Sequence, residues 1–201
     1  MRNTRIIRLA VLGLAVAAST IYAAPETCKI DPAHSNVGFK VRLLAGKVTG
    51  RFGEVAGTIR IDAAHPETAS VAASIQVRSI DTANAKRDDH LKSAGFFDAE
   101  QFPVIVFKSK KVNVTGRETA DIVGDLTIHG VTKEVTLHAR YLGMSKGPDG
   151  TPQTGWEATT KINRTDFGLK WNKLVEGTAM IGDEVDVDLR IISDLVKSPA
   201  R

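Results

Sequence analysis

The sequence predicts an all-β chain, an antiparallel barrel of about eight strands with one short helix and an aromatic loop at one end. Three observations predict it. Short segments alternate apolar and polar residues with a period of two, which marks strands with one buried face. Turn residues separate those segments at close intervals. A single stretch, 84–94, abandons the alternation for helix formers.

The strands follow in order. Val37, Phe39, Val41 and Leu43 alternate with Gly38, Lys40 and Arg42. Val55, Gly57, Ile59 and Ile61 form the next apolar row, then Val71, Ala73, Ile75 and Val77. Thr82 or Asn84 offers a cap for the helix and Gly95 a stop, after which Phe96, Phe97 and Phe102 supply the aromatic loop. Ile105 with Phe107, and Val112 with Val114, read as two short strands. Ile122 to Ile128, Val135 to Tyr141, Trp156 to Ile162 and Val185 to Ile191 complete the set. The predicted turns are His65-Pro66, Thr115-Gly116, His129-Gly130, Pro148-Asp149-Gly150 and Ile181-Gly182-Asp183, and Gly143 to Gly155 reads as a long mobile hairpin loop. A two-sheet sandwich has the same periodicity; Gly38, Gly50, Gly53, Gly57 and Gly124 favour the barrel, because sharp coiling needs such positions.

The face opposite the apolar rows carries Lys40, Arg42, Arg60, Arg78, Lys108, Lys133 and Asp186, where a membrane-spanning barrel would need an apolar band between aromatic girdles. With aromatics at 5% there is no material for such girdles. A water-facing barrel is expected.

Residues 1–23 read as a signal peptide and 24–201 as one domain. Arg2, Arg5 and Arg8 begin the chain, Leu9 to Ala18 is an uncharged apolar run, and small residues flank Ala23. The run is shorter than the roughly 20 residues of a membrane span. Removing the leader takes Lys+Arg from 27 to 24 against 23 acidic residues, so the basic balance of the whole chain largely belongs to the leader. That removes the electrostatic case for nucleic-acid binding. Cys28 is the only cysteine and reads as an incidental thiol near a flexible terminus; it excludes an intramolecular disulfide.

Catalytic chemistry finds little support. His34 and Ser35 are neighbours, and on a strand they would point to opposite faces. The histidines at 34, 65, 90, 129 and 138 show no metal-ligand spacing, so no metal or cofactor is expected. Arg87-Asp88-Asp89-His90 reads first as a solvated helical face and second as a device that turns Arg87 into the barrel mouth. Asn163-Arg164-Thr165-Asp166 reads first as a turn locked by an Arg–Asp pair, second as part of that mouth.

Several blocks follow in a specific order: Ile30-Asp31-Pro32-Ala33-His34-Ser35 with Val37 and Phe39, Val48-Thr49-Gly50-Arg51-Phe52, Ser79-Ile80-Asp81-Thr82, Arg87 to Ser93, Phe96-Phe97-Asp98, Phe102-Pro103, Phe107-Lys108-Ser109, Gly124 to Thr132, and Ile162 to Gly168. Taken together they resemble the YceI-like family of exported lipid-binding proteins. The resemblance spans 28–195. It implies an extended, lipocalin-like eight-stranded antiparallel barrel with a long apolar channel for a polyisoprenoid or another long-chain amphiphile, in the periplasm, with no catalytic residues to carry over. It also implies dimers for several members. The partner expected is therefore a long-chain isoprenoid or acyl lipid, with a homodimer and a membrane donor or acceptor left open. Phe39, Phe97, Phe102, Phe107, Phe167 and Trp171 are the expected tail contacts, with Leu91 at the mouth; Asn36, Arg87 and Arg164 are the expected holders of a polar head. Two alternatives stand beside this: a lipid-modifying enzyme at the mouth using His34 or Arg87 and Asp89, and a stress-response scaffold whose barrel is filled. Sequence alone leaves open whether the inward side chains line a bore or meet as a packed core.

Overall fold

The structure is a computed structural model that describes residues 25–172, 174–175 and 178–196; the leader lies outside the described residues. The alternating segments form the strands β1 (Glu26–Ile30), β2 (Asn36–Leu43), β3 (Gly46–Phe52), β4 (Val55–Ile61), β5 (Ser70–Gln76) and β6 (Ile80–Asp81). After the helix α1 (Ala85–Lys92) come β7 (Val104–Val114), β8 (Thr119–Ile128), β9 (Val131–Lys146), β10 (Pro152–Asn163) and β13 (Ile181–Val196). A small separate pair, β11 (Leu174–Val175) and β12 (Thr178–Ala179), precedes β13.

All pairings are antiparallel, and β1 against β13 closes the sheet. The first three staves of the barrel are each broken midway. β13 pairs with β2 along its first half and with β1 along its second, so β1 and β2 are one interrupted stave. β3 with β4 and β5 with β6 repeat the arrangement. Counted this way the closed barrel has eight staves, as the periodicity predicts.

The breaks are stitched by side chains and loops. The Ser35 hydroxyl donates to the Ile192 carbonyl at 3.1 Å and accepts from the Ile192 amide at 3.0 Å, which bridges the gap between β1 and β2. His34 and Ser35 therefore sit in a turn rather than on a strand, and His34 meets Asp31 at 2.5 Å on the exterior. Beyond the third break the wall would gape between β6 and β7. There α1 fills the space. It is a polar helix, capped by Asn84, whose side chain accepts from the Arg87 amide at 3.1 Å. Buried Asp88 anchors it, accepting from the Thr82 amide at 3.0 Å and the Thr82 hydroxyl at 2.5 Å.

Several expectations need correction. Ile105 to Val114 is one strand, with a register shift between Ser109 and Lys111. That bulge is why the inward phase passes from odd to even numbers. The segment 143–155 is mostly strand; the connection shrinks to 147–151 because Gly143 and Gly155 pair across the ladder. Ile181-Gly182-Asp183 begins β13 with another irregularity, so the glycine marks a strand distortion and not a turn. Glu26 to Ile30 forms a strand that the alternation does not announce, and it buries Cys28 completely. Burial pushes the Cys28 thiol up, against hydrogen bonds with Thr154 and Ser193.

Candidate ligand-binding site

The inward rows do not meet. A cavity of about 790 Å³ is enclosed by nearly every stave, within the roughly 300–1,000 Å³ range of small-molecule sites. Its lining runs from Leu43, Trp171 and Met180 beside α1 to Pro66, Arg117 and Met144 at the far end. The space thus follows the barrel along its length as a bore. Between the ends the wall is aliphatic, with Val37, Ile59, Ala73, Ile122, Ala139, Ala158, Val187 and Leu189 among its residues.

Glycines keep the bore open. Phe39 lies opposite Gly50 across the β2–β3 ladder, and a Cβ on Gly50 would stand 2.3 Å from its ring. The Phe107 ring covers Gly124 in the same way, 2.6 Å from the place of a Cβ. Each ring lies down on a bare patch of backbone instead of projecting across the lumen.

The α1 end is closed by an aromatic and polar layer. Phe52 packs against Phe39 and Phe97 at 5.6 and 5.9 Å between centroids, and Phe96 against Phe97 at 5.4 Å. Arg164, buried beside the lumen, donates to the Gly182 carbonyl at 2.9 Å, the Trp171 carbonyl at 3.0 Å, the Leu169 carbonyl, and the Asp183 carboxylate at 2.9 Å. Burial lowers the pKa of this guanidinium while Asp183 opposes the change. The locking pair is thus Arg164 with Asp183, not with Asp166. At the far end, the Tyr141 and Trp156 rings pack at a tilt, 4.7 Å between centroids, and the indole N–H donates to Thr154 at 2.9 Å. Burial raises the pKa of the Tyr141 phenol.

The structure brings Phe39, Leu91, Phe97, Phe107, Trp171, Arg87 and Arg164 into the wall of the bore. It leaves Asn36, Phe102 and Phe167 outside. Phe102 meets His129 edge to face at 4.6 Å between centroids, and Phe167 is a fully buried core ring. Both aromatics come from segments without alternation, where sequence carries no information about direction. Asn36 sits at the break that starts β2, in register with Arg190. Phe52, Phe96, Tyr141 and Trp156 are lining rings that were not singled out; Tyr141 and Trp156 were readable from their inward phase. Among the described residues no cluster of His, Cys, Asp and Glu has the arrangement of a metal site.

Comparison with known proteins agrees with this geometry. The family described as the YceI-like domain matches residues 28–192. The chain belongs to the YceI-like family. It is 40% identical to a UPF0312 protein of Pseudomonas fluorescens over 166 residues, 80% of this chain and 84% of that one. A Campylobacter jejuni YceI protein superposes with a TM-score of 0.66 at 29% identity, over 75% of this chain and 86% of that one. A polyisoprenoid binding domain from Saccharophagus degradans shares the fold, with a TM-score of 0.62 at 17% identity over 84% and 98% of the two chains. The YceI-like barrel is therefore the frame within which this bore is interpreted.

Proposed function

We propose that this protein holds a long-chain apolar or amphiphilic lipid, of the isoprenoid or acyl type, inside the barrel, and that it works as a carrier in the periplasm after export. The observation that carries this reading is the continuous aliphatic bore of about 790 Å³. A hydrocarbon chain gains on the order of 0.8 kcal/mol per buried methylene. Affinity then grows with the length of chain enclosed, and few polar contacts are needed to offset the cost of association. The polyisoprenoid-binding relative in fold supports the ligand class. The basic start and short apolar run of the leader support export. A carrier exchanges its lipid with a membrane donor or acceptor, and the charged outer face suits transit through water: Lys161 meets Glu184 at 3.3 Å, Arg140 meets Glu157 at 2.7 Å, and Lys110 meets Asp125 at 2.6 Å.

The test is mass spectrometry of organic extracts from natively purified protein, followed by titration of the delipidated barrel with a polyprenol. Co-purified long-chain lipid and saturable uptake are the expected results. A barrel that is empty as purified and indifferent to added polyprenol overturns the reading.

A further inference from the structure

Two polar groups on one face of α1 line the mostly apolar bore and keep hydrogen-bonding capacity without a partner. Arg87 and His90 are one helical turn apart, so both reach the lumen. The Arg87 guanidinium is fixed in place: Nε donates to the Thr82 hydroxyl at 2.7 Å and Nη2 to the Thr82 carbonyl at 2.8 Å. These bonds use one edge of the guanidinium and leave Nη1 over. Among the described residues no carboxylate lies within 4 Å of this cation; Asp88 meets it only through the Thr82 hydroxyl that both contact. His90 lies edge-on to Trp171, at 4.5 Å between centroids, and near Phe96 at 6.3 Å, and its Nε2 is buried with no hydrogen-bond partner.

A half-buried cation without a direct counter-ion and a buried ring nitrogen without a partner are each costly to hold in an apolar wall. Resting on the reading of the bore as a lipid site, we infer that Arg87 and His90 form a receptor for the anionic head of the lipid, a carboxylate or phosphate, placed beneath α1 with its hydrocarbon chain running toward the far end. Arg87 Nη1 and the His90 ring, with its hydrogen on Nε2, each donate to a head-group oxygen. Thr82 and Asp88 position Arg87. Arg164 stands nearby, but four of its five N–H groups are committed to three carbonyls and to Asp183, which already neutralises it, so it shapes the chamber and leaves the head group to α1.

The experiment compares palmitate, hexadecanol and inorganic phosphate as ligands of the delipidated full chain by calorimetric titration. Hexadecanol binding reports the apolar bore alone. Palmitate is expected to bind at least about tenfold more tightly, the factor that one charge-assisted hydrogen bond represents. Inorganic phosphate is expected not to bind measurably, because its affinity lacks the contribution of the tail; tight phosphate binding would overturn a receptor for lipid heads in favour of a free-anion site. Arg87→Gln and His90→Phe should each erase most of the acid-over-alcohol preference, read as the ratio of the two affinities within each variant, while saturable hexadecanol uptake persists and shows that the variants fold. Equal binding of acid and alcohol by the unaltered chain, or a preference that survives both substitutions, overturns the head-group receptor and leaves the lipid reading standing. Failure of both amphiphiles to bind overturns the lipid reading itself, and the receptor with it.

Discussion

The two ends of the bore are built on different principles. At the α1 end the wall is broken, and the gap is closed by a polar helix, a ring cluster and a buried arginine. At the far end the staves run on uninterrupted to a mixed lip, where Val114 and Met144, each about half exposed or more, line the bore beside Arg117 and Glu118. The first end is held by the converging hydrogen bonds of one buried arginine; the second is held by the sheet ladder, with Trp156, Thr154 and Ser193 joined by side-chain hydrogen bonds across it. On the proposed reading, a buried polar layer at one end and a half-exposed lip at the other would give an amphiphile a preferred direction.

The largest expected effect is on the polar end. Arg164→Ala leaves three carbonyls and Asp183 without their donor, and should cost about 3 kcal/mol in urea unfolding. If instead the change is neutral, the α1 end is no more dependent on polar contacts than the far end, and the contrast fails. In the middle of the bore, Gly124→Val would drive Cβ into the Phe107 ring and the Lys108 carbonyl, and should cost about 1–3 kcal/mol and lower lipid uptake as the ring is displaced.

Ala158 lies opposite Ala139 on one side and Leu189 on the other, and all three line the lumen. Ala158→Phe should reduce hexadecanol uptake at least tenfold while shifting stability by no more than about 0.5 kcal/mol, since the ring enters open space. A loss of about 1–3 kcal/mol in the same unfolding experiment would be the signature of overpacking in a filled core.

The smallest effect is predicted outside the bore. The hydrogen bond from His34 holds the Asp31 carboxyl below the usual carboxylate range. A depressed carboxyl stabilises the fold above its unfolded pKa, and that contribution disappears as the pH falls through the depressed folded value. His34→Ala should therefore flatten the acid limb of the stability profile by a few tenths of a kcal/mol, about the worth of an exposed pair, with lipid uptake unaltered. Lost uptake in this variant would tie His34 to the site after all.

The barrel was legible in the sequence because its inward rows are long and aliphatic: Val37 to Leu43 and Val185 to Ile191 each declare a face without help from tertiary context. Where a strand has few inward residues the signal fades, as in Glu26 to Ile30, whose inward side chains are only Cys28 and Ile30. Bulges hid in plain view. The phase change between Phe107 and Val112 is a readable trace of one bulged strand, but it is equally the trace of two strands parted by a turn. The site divided in the same manner. Alternation fixes the direction of Phe39 and Phe107, which line the bore, whereas Phe102 lies in a loop and Phe167 in a 3-10 turn, where alternation says nothing. Partners distant in sequence left no trace either: Asp183 for Arg164, and Ile192 for Ser35, are assigned only by closure of the barrel.

The central claim is most directly tested by a crystal structure of the delipidated protein soaked with hexadecanol. One continuous tube of density is expected between Ala73, Ala139 and Ala158, with the Phe39 and Phe107 rings flat against Gly50 and Gly124. Rings turned inward to meet across the lumen, with no ligand density between them, would contradict it.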